Sequence, residues 1–313
     1  MKKLFFLLVT ILASFPAIGQ QLPLQSQYND LQGILNPAAV NTNYLYFNHI
    51  FNIGINHRSQ WTGIPNSPKT NTLHLDYVYE NGPFSLISGG HIIQDQVSRI
   101  KTTGFYGKIG GLFSDDPKET GISVGITGGI VQYGIDTRDA QLIDEDDALA
   151  FAKSNKLYPD VGFGVAFYRR LHKNDDLIFG GLSVPQILGL NLAYRNDNNN
   201  FDLKRTQHYY AQIGYLRNLY RETSFLEFTS WIKYVKGAPV NVDLNVKYQI
   251  TNLLYIGSGL NSSGMYSGNV GLELNNRVGD NVIRLNYGFG LPFFSTSPQF
   301  GASHEIGLSI GFN

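Results

Sequence analysis

An alternation of apolar and polar side chains is the feature that most constrains the fold, and it recurs along the chain from residue 44 onward. In the clearest stretch, the apolar residues Val240, Val242, Leu244, Val246 and Tyr248 alternate with Asn241, Asp243, Asn245 and Lys247. In an extended strand this period places the two sets on opposite faces. After the first twenty positions, no apolar run approaches the roughly 18 residues that a membrane helix needs. The chain therefore predicts β-strands and excludes a helical membrane protein.

The composition indicates which kind of β-protein this is. Charged residues make up only 15% of the chain, whereas roughly 25% is usual in a soluble domain. A β-sandwich shares the period of two, but here many residues opposite the apolar face are Gly, Asn or Ser. These residues suit a polar lumen better than a solvated outer sheet face. We therefore predict an all-β fold, a transmembrane antiparallel β-barrel of about 14 strands in the outer membrane.

Fourteen strand windows support one barrel domain over residues 44–313. They are 44–56, 70–80, 83–93, 100–113, 120–135, 160–171, 176–185, 206–219, 222–236, 240–250, 252–262, 266–277, 279–291 and 302–312. The long connections, such as 57–69 and 186–205, alternate with short turns. Because outer loops of such barrels are the longer ones, this pattern predicts that the first strand begins and the last strand ends on the periplasmic side.

The N-terminus predicts export. Residues 1–19 read as a signal peptide, with Lys2 and Lys3 before an apolar stretch and a small-x-small cleavage site ending at Gly19. Residues 20–43 have no clean period, so we predict an irregular segment that lies in the periplasm or in the lumen. The chain has no cysteine, which excludes a disulfide framework and thiolate metal sites.

No pattern in the sequence predicts catalysis, a metal site or a cofactor. The acidic run 144–147 lacks the ligand spacing of a calcium loop. His304-Glu305 has no second histidine at zinc-motif spacing. In a strand, the side chains of these two neighbouring residues would also face opposite sides. There is no Gly-x-Ser-x-Gly elbow. Without Lys2 and Lys3, the 24 lysines and arginines become 22 against 24 acidic residues, so nucleic acid is not an expected partner. We predict a protein that is not an enzyme.

Two segments outside the strand windows carry the candidate partner-binding residues. The first loop contains Arg58, Gln60 and Trp61, and the N-terminal segment contains Asn36 and Pro37. Arg and Trp are residue types favoured as binding anchors. The alternative interpretation places Trp61 in the aromatic girdle and Arg58 and Gln60 at the mouth of the lumen.

At these residues the sequence resembles the PorP/SprF family of outer-membrane proteins of the Bacteroidetes type IX secretion and gliding machinery. The matching pieces are Gln27-Tyr28, Asn36-Pro37-Ala38, Arg58-x-Gln60-Trp61, the stretch from Pro65 to Thr70, and Ser303-His304-Glu305-Ile306. The resemblance implies a non-enzymatic barrel that supports export or surface attachment of a partner, such as a secreted adhesin, together with other type IX secretion components and outer-membrane lipid. The alternative function is a passive porin or small-solute channel.

Overall fold

A computed structural model describes residues 31–135, 156–171, 175–189, 191–195, 200–204, 206–220, 224–275, 281–292 and 301–313. Two short helices come first, α1 (Gln32–Leu35) and α2 (Thr42–Phe47). The strands are β1 (Phe51–Ser59), β2 (Lys69–Tyr79), β3 (Phe84–Val97), β4 (Ile100–Phe113), β5 (Thr120–Ile135), β6 (Lys156–Leu171), β7 (Asp176–Val184), β8 (Asn191–Arg195), β9 (Asn200–Lys204), β10 (His208–Tyr220), β11 (Ser224–Val235), β12 (Asn241–Gln249), β13 (Leu254–Asn261), β14 (Met265–Asn275), β15 (Val282–Pro292) and β16 (Ser303–Phe312).

Fourteen of these strands form a closed antiparallel barrel, in which β1 pairs with β2 on one side and with β16 on the other. Closure leaves no unpaired strand edge, which is what a sheet surrounded by lipid requires. The predicted antiparallel barrel of 14 strands is confirmed. One element was not predicted: β8 and β9 form a separate two-stranded sheet within the connection between β7 and β10.

The two faces of the wall follow the predicted alternation. On β12, Leu244 and Val246 are 57% and 40% exposed, whereas Asp243 is only 4% exposed. The apolar set therefore points away from the barrel axis and the polar set lines the lumen. Exposed aromatic side chains, including Tyr79 and Phe84, lie near strand ends, where a barrel carries its aromatic girdles. No helix in the described part of the chain is long and apolar enough to cross a bilayer.

The start of the first strand differs from the prediction. The window 44–56 began too early, because residues 42–47 form α2 and β1 begins at Phe51. The Asn41 side chain accepts a hydrogen bond from the Asn43 amide (2.9 Å) at the N-cap, as N-cap residues do. Asn48 ends the helix in the left-handed conformation (φ 60°). Within the segment predicted to be irregular, residues 32–35 and 42–43 are helical.

The division of the chain into a signal peptide (1–19), an N-terminal segment (20–43) and a barrel (44–313) remains a prediction. Residues 1–30 and the acidic run 144–147 lie outside the described residues. The barrel has a terminal end, which holds the start of β1 and the end of β16, and a loop end, which holds the connection 60–68.

Candidate functional site: the lumen plug and the rim at the loop end

Residues 31–50, called the plug here, lie inside the barrel. Side chains of three wall strands donate hydrogen bonds to plug carbonyl groups: Ser183 Oγ to Leu35 (2.6 Å), Ser123 Oγ to Ala38 (2.7 Å) and Arg170 Nη2 to Leu45 (2.7 Å). The two serines belong to the inward sets of β7 and β5. The plug is therefore bonded to the wall at several heights rather than resting at one mouth.

The Asn36-Pro37 pair makes a tight turn in the middle of the plug. The Ala39 amide donates to the Asn36 carbonyl (2.9 Å), and the Ala38 amide donates to Asn36 Oδ1 (3.0 Å). Asn at the first turn position and Pro at the second are favoured because proline fixes φ there. Asn36 Nδ2 also donates to the Val165 carbonyl of β6 (3.1 Å). One side chain thus closes the turn and ties it to the wall.

Glycines in the wall make room for this turn. A Cβ atom added at Gly125 would lie 2.6 Å from the Pro37 carbonyl oxygen, and one at Gly181 would lie 2.6 Å from Asn36 Nδ2. A Cβ at Gly164 would overlap the Asn36 amide. Asn36 is only 3% exposed. The structure therefore places Asn36 and Pro37 against the inner wall, where a partner reaches them only by displacing the plug.

At the terminal end, α2 contributes to an apolar cluster that spans the lumen. Tyr44 and Leu45 belong to one buried cluster with residues from much of the wall: Val78, Ile87, Leu112, Tyr168, Leu177, Phe179, Leu216 and Phe225. Tyr44 also donates a hydrogen bond to Glu80 Oε1 (2.9 Å). Burial, and then this bond to a carboxylate, raises the pKa of Tyr44 far above its ordinary value, so the phenol stays a donor. The lumen is apolar and occupied at this end.

Arg58 is not a loop residue, contrary to the predicted loop 57–69. It belongs to β1, is 7% exposed and faces the lumen. Its Nη1 lies 3.1 Å from Glu305 Oε2, and Asn56 Nδ2 donates to Glu305 Oε1 (3.1 Å). Arg58 and Glu305 are direct partners in the β1–β16 register. β1 therefore continues past the predicted end of the first window, through its pairing with β2 and β16, and places the guanidinium at an inward position opposite Glu305.

Gln60 and Trp61 lie at the rim of the loop end, both half-buried. The Gln60 amide donates to the Pro68 carbonyl (2.9 Å), and the Trp61 amide donates to Ser303 Oγ (3.3 Å). Trp61 has a φ of 55°, which is an outlier for a bulky residue and persists only when its surroundings fix it. The structure thus separates the five predicted residues into two rim residues, one wall residue and two plug residues.

Among the described residues, the lumen holds three further ion pairs that sequence reasoning missed. They are Lys108–Asp76, Lys233–Asp243 and Arg284–Glu273, the last at 3.0 Å. Arg284 and Glu273 are direct register partners on β15 and β14, so for this pair the available signal was opposite charges at matched inward positions of neighbouring windows. These pairs neutralise charge within the wall. Within the described residues, no group of three or more His, Cys, Asp or Glu side chains could hold a metal ion.

His304 and Glu305 point to opposite faces of β16, as expected for neighbours in a strand. Glu305 is 1% exposed in the lumen, whereas His304 Nδ1 lies 2.8 Å from the Tyr287 hydroxyl on the outer face. The two side chains therefore do not form a joint site.

Solved structures with a similar fold are outer-membrane proteins. The TodX deltaS2S3 mutant, a monoaromatic hydrocarbon channel, matches with a TM-score of 0.52 and 10% identity, over 83% of this chain and 89% of that chain. The monoaromatic hydrocarbon channel CymD matches with a TM-score of 0.49 and 10% identity, over 90% and 96%. Omp33 of Acinetobacter baumannii matches with a TM-score of 0.42 and 10% identity, over 85% and 98%. At such identity the likeness to TodX shows the barrel fold alone.

No curated protein matches the sequence. The model of the family described as type IX secretion system membrane protein PorP/SprF matches residues 17–310. This match spans the plug and every strand from β1 to β15, and it ends within β16. The chain therefore belongs to the PorP/SprF family of type IX secretion system membrane proteins and is an outer-membrane β-barrel.

Proposed function

We propose that this barrel is a non-enzymatic part of the type IX secretion machinery and supports export or surface attachment of a partner protein such as an adhesin. The observation that carries the proposal is the family match over nearly the whole chain. The lumen of this barrel also holds the plug, which is consistent with a protein that does not conduct solutes. The proposal includes removal of residues 1–19 as a signal peptide. Attachment of an adhesin would serve gliding motility in a member of the Bacteroidetes.

The plug argues against a passive porin. Solute passing the terminal end would have to cross the apolar cluster around Tyr44 and Leu45. Moving the plug aside would also break its hydrogen bonds to Ser123 and Ser183, leaving buried carbonyl groups without donors. A general porin instead keeps a polar, water-filled channel. The contacts of a partner protein therefore fall on the rim and the outer surface, not on a lumen path.

The rim at the loop end is the surface that we assign to the partner, with Gln60 and Trp61 as its contact residues. Hydrogen bonds already order this loop, so little conformational entropy is lost when a partner docks. A half-buried Trp is also the residue type that most often costs about 2 kcal/mol or more on truncation. The other three residues support this surface indirectly. Arg58 does so through its ion pair between β1 and β16, and Asn36 and Pro37 do so through the plug.

The test is complementation of a strain that lacks the protein, with surface display of the secreted partner as the readout. A Gln60→Ala, Trp61→Ala variant should reach normal outer-membrane levels and heat-modifiable migration, yet display should fall about tenfold or more. Tyr79→Ala is the matched control, because Tyr79 is an exposed aromatic at the opposite end of the wall. Normal display by the Gln60, Trp61 variant at normal barrel levels would refute the docking role.

Single-channel recording in planar bilayers separates the secretion component from the porin. We expect the wild-type protein to show no stable open pore, since the plug holds the lumen. Steady ohmic conductance by the wild-type barrel would favour the channel function instead.

A further inference from the structure

The lipid-facing side of β1 to β4 carries a groove of about 450 Å³ at mid-height. Five outward-facing apolar side chains line it: Ile53, Leu73, Leu75, Ile92 and Phe105. Gly90 and Gly107, direct register partners on β3 and β4, also line it, as do three residues of the inward sets, His74, His91 and Tyr106. This volume falls within the range of small-molecule sites, roughly 300–1,000 Å³. The lining chemistry suits a hydrocarbon chain.

The two glycines give the groove its depth. Both belong to the outward set of their strands, where neighbouring positions hold large apolar residues. A Cβ atom added at Gly107 would meet no other atom within 4 Å. Space beyond Gly107 is therefore open, and a larger side chain placed there would fill the groove without a clash.

A cationic row lies above the groove on the same strands. Lys69 pairs with Gln96, and Gln96 pairs with Lys101, so the two lysines flank one position on the outward face. Their Cα atoms are two strand spacings apart, roughly 10 Å. Both lysines are exposed, and neither forms an ion pair with a carboxylate of the described residues. Arg99 is exposed in the adjoining turn.

The spacing between row and groove matches a membrane lipid. Six residues separate Lys101 from Gly107 along β4, which corresponds to roughly 20 Å of strand. A polar row of Asn71, Gln94 and Thr103 lies between them. The lysines at the end of the wall thus fall at headgroup height, while the groove falls within the hydrocarbon band of roughly 25 Å.

We propose that this face binds one phosphorylated glycolipid of the outer leaflet. Its phosphates lie on Lys69 and Lys101, its sugars on the polar row, and one acyl chain in the groove. Two cations roughly 10 Å apart suit a headgroup with two phosphates better than a phospholipid with one. The proposal takes the loop end as the outer side, as the loop lengths predict. It does not depend on the proposed role in secretion.

The experiment uses the full-length barrel in nanodiscs that contain either bisphosphorylated lipid A or phosphatidylglycerol. Bound lipid is counted by native mass spectrometry after mild extraction. We expect wild-type protein to retain one lipid A and to prefer it over phosphatidylglycerol. Lys69→Glu with Lys101→Glu should weaken retention at least thirtyfold, since each lysine contributes roughly a factor of five to ten near an anionic surface. Gly107→Leu should lower retention without changing heat-modifiable migration.

Matched controls lie on other parts of the wall. Lys236→Glu reverses an exposed charge in the turn after β11, and Ser258→Leu enlarges an exposed outward residue on β13. Both controls should retain lipid A as the wild type does. Equal retention by the charge-reversed variant and by Lys236→Glu would overturn the proposal, as would equal retention by Gly107→Leu and Ser258→Leu. Equal retention of phosphatidylglycerol and lipid A would also overturn it, by showing a surface for any anionic lipid.

Discussion

Breaking the Arg58–Glu305 pair should destabilise the barrel at the strand pair that closes it. Both side chains are inside the wall, at 7% and 1% exposure, so Arg58→Ala leaves a carboxylate buried without its cation. Loss of one partner of a buried pair costs about 3–5 kcal/mol. The Asn56 amide still donates to Glu305 Oε1 but carries no charge, so we expect the cost to stay within that range.

The assay is urea unfolding of the barrel refolded into lipid vesicles, followed by heat-modifiable migration. Arg58→Ala and Glu305→Ala should each lower the free energy of unfolding by about 3–5 kcal/mol. The double change Arg58→Met with Glu305→Gln should recover most of the loss, because no charge is then left alone. Lys236→Ala, at an exposed turn position, should change stability by less than about 0.5 kcal/mol. A cost for Arg58→Ala no larger than for Lys236→Ala would show that the pair is solvated and refute the reasoning.

Three further outcomes are expected. Leu244→Arg should lower the free energy of unfolding in lipid by about 2–4 kcal/mol, whereas Asn245→Arg, on the lumen face, should cost less. Equal refolding yields for the two variants would contradict this assignment of the outward and inward faces. Cysteine at Ser263, in a turn at the loop end, should react with an impermeant label on whole cells, and cysteine at Asn252 should not; the reverse pattern would invert the topology. Gly164→Leu should dislodge the plug and produce measurable conductance. Outward-facing Gly128→Leu is the control and should leave the bilayer current at the wild-type level. If neither variant conducts, the plug does not depend on the space at Gly164.

The strands were predictable because one lipid-facing set of side chains imposes a period of two. On β12 this set predicted both the strand and its faces, with Leu244 outward and Asn245 inward. The pattern was less informative where lipid does not select the residues. Tyr44 and Leu45 pack inside the lumen instead of facing lipid. Their apolar side chains led to the prediction of a strand that begins at residue 44.

Long-range pairing explains the misplaced site residue. Arg58 is accommodated inside the wall because Glu305 on the paired strand β16 faces it, and Glu305 lies 247 residues away in sequence. A local pattern does not contain that information. Asn36 and Pro37 show the same limit. Their residue types indicate a turn, but the sequence does not indicate that three glycines on β5, β6 and β7 make room for it.

The strand pair that closes the barrel also holds the rim in place, and this links assembly to docking. The Trp61 amide donates to Ser303 Oγ, and the Thr62 amide donates to the Ala302 carbonyl (2.9 Å). Both acceptors belong to the last stretch of the chain, so the loop gains these bonds only after β16 has paired with β1. An open barrel would present Trp61 on a loop without this support. A partner that recognises the ordered rim would therefore bind the closed barrel in preference to an assembly intermediate.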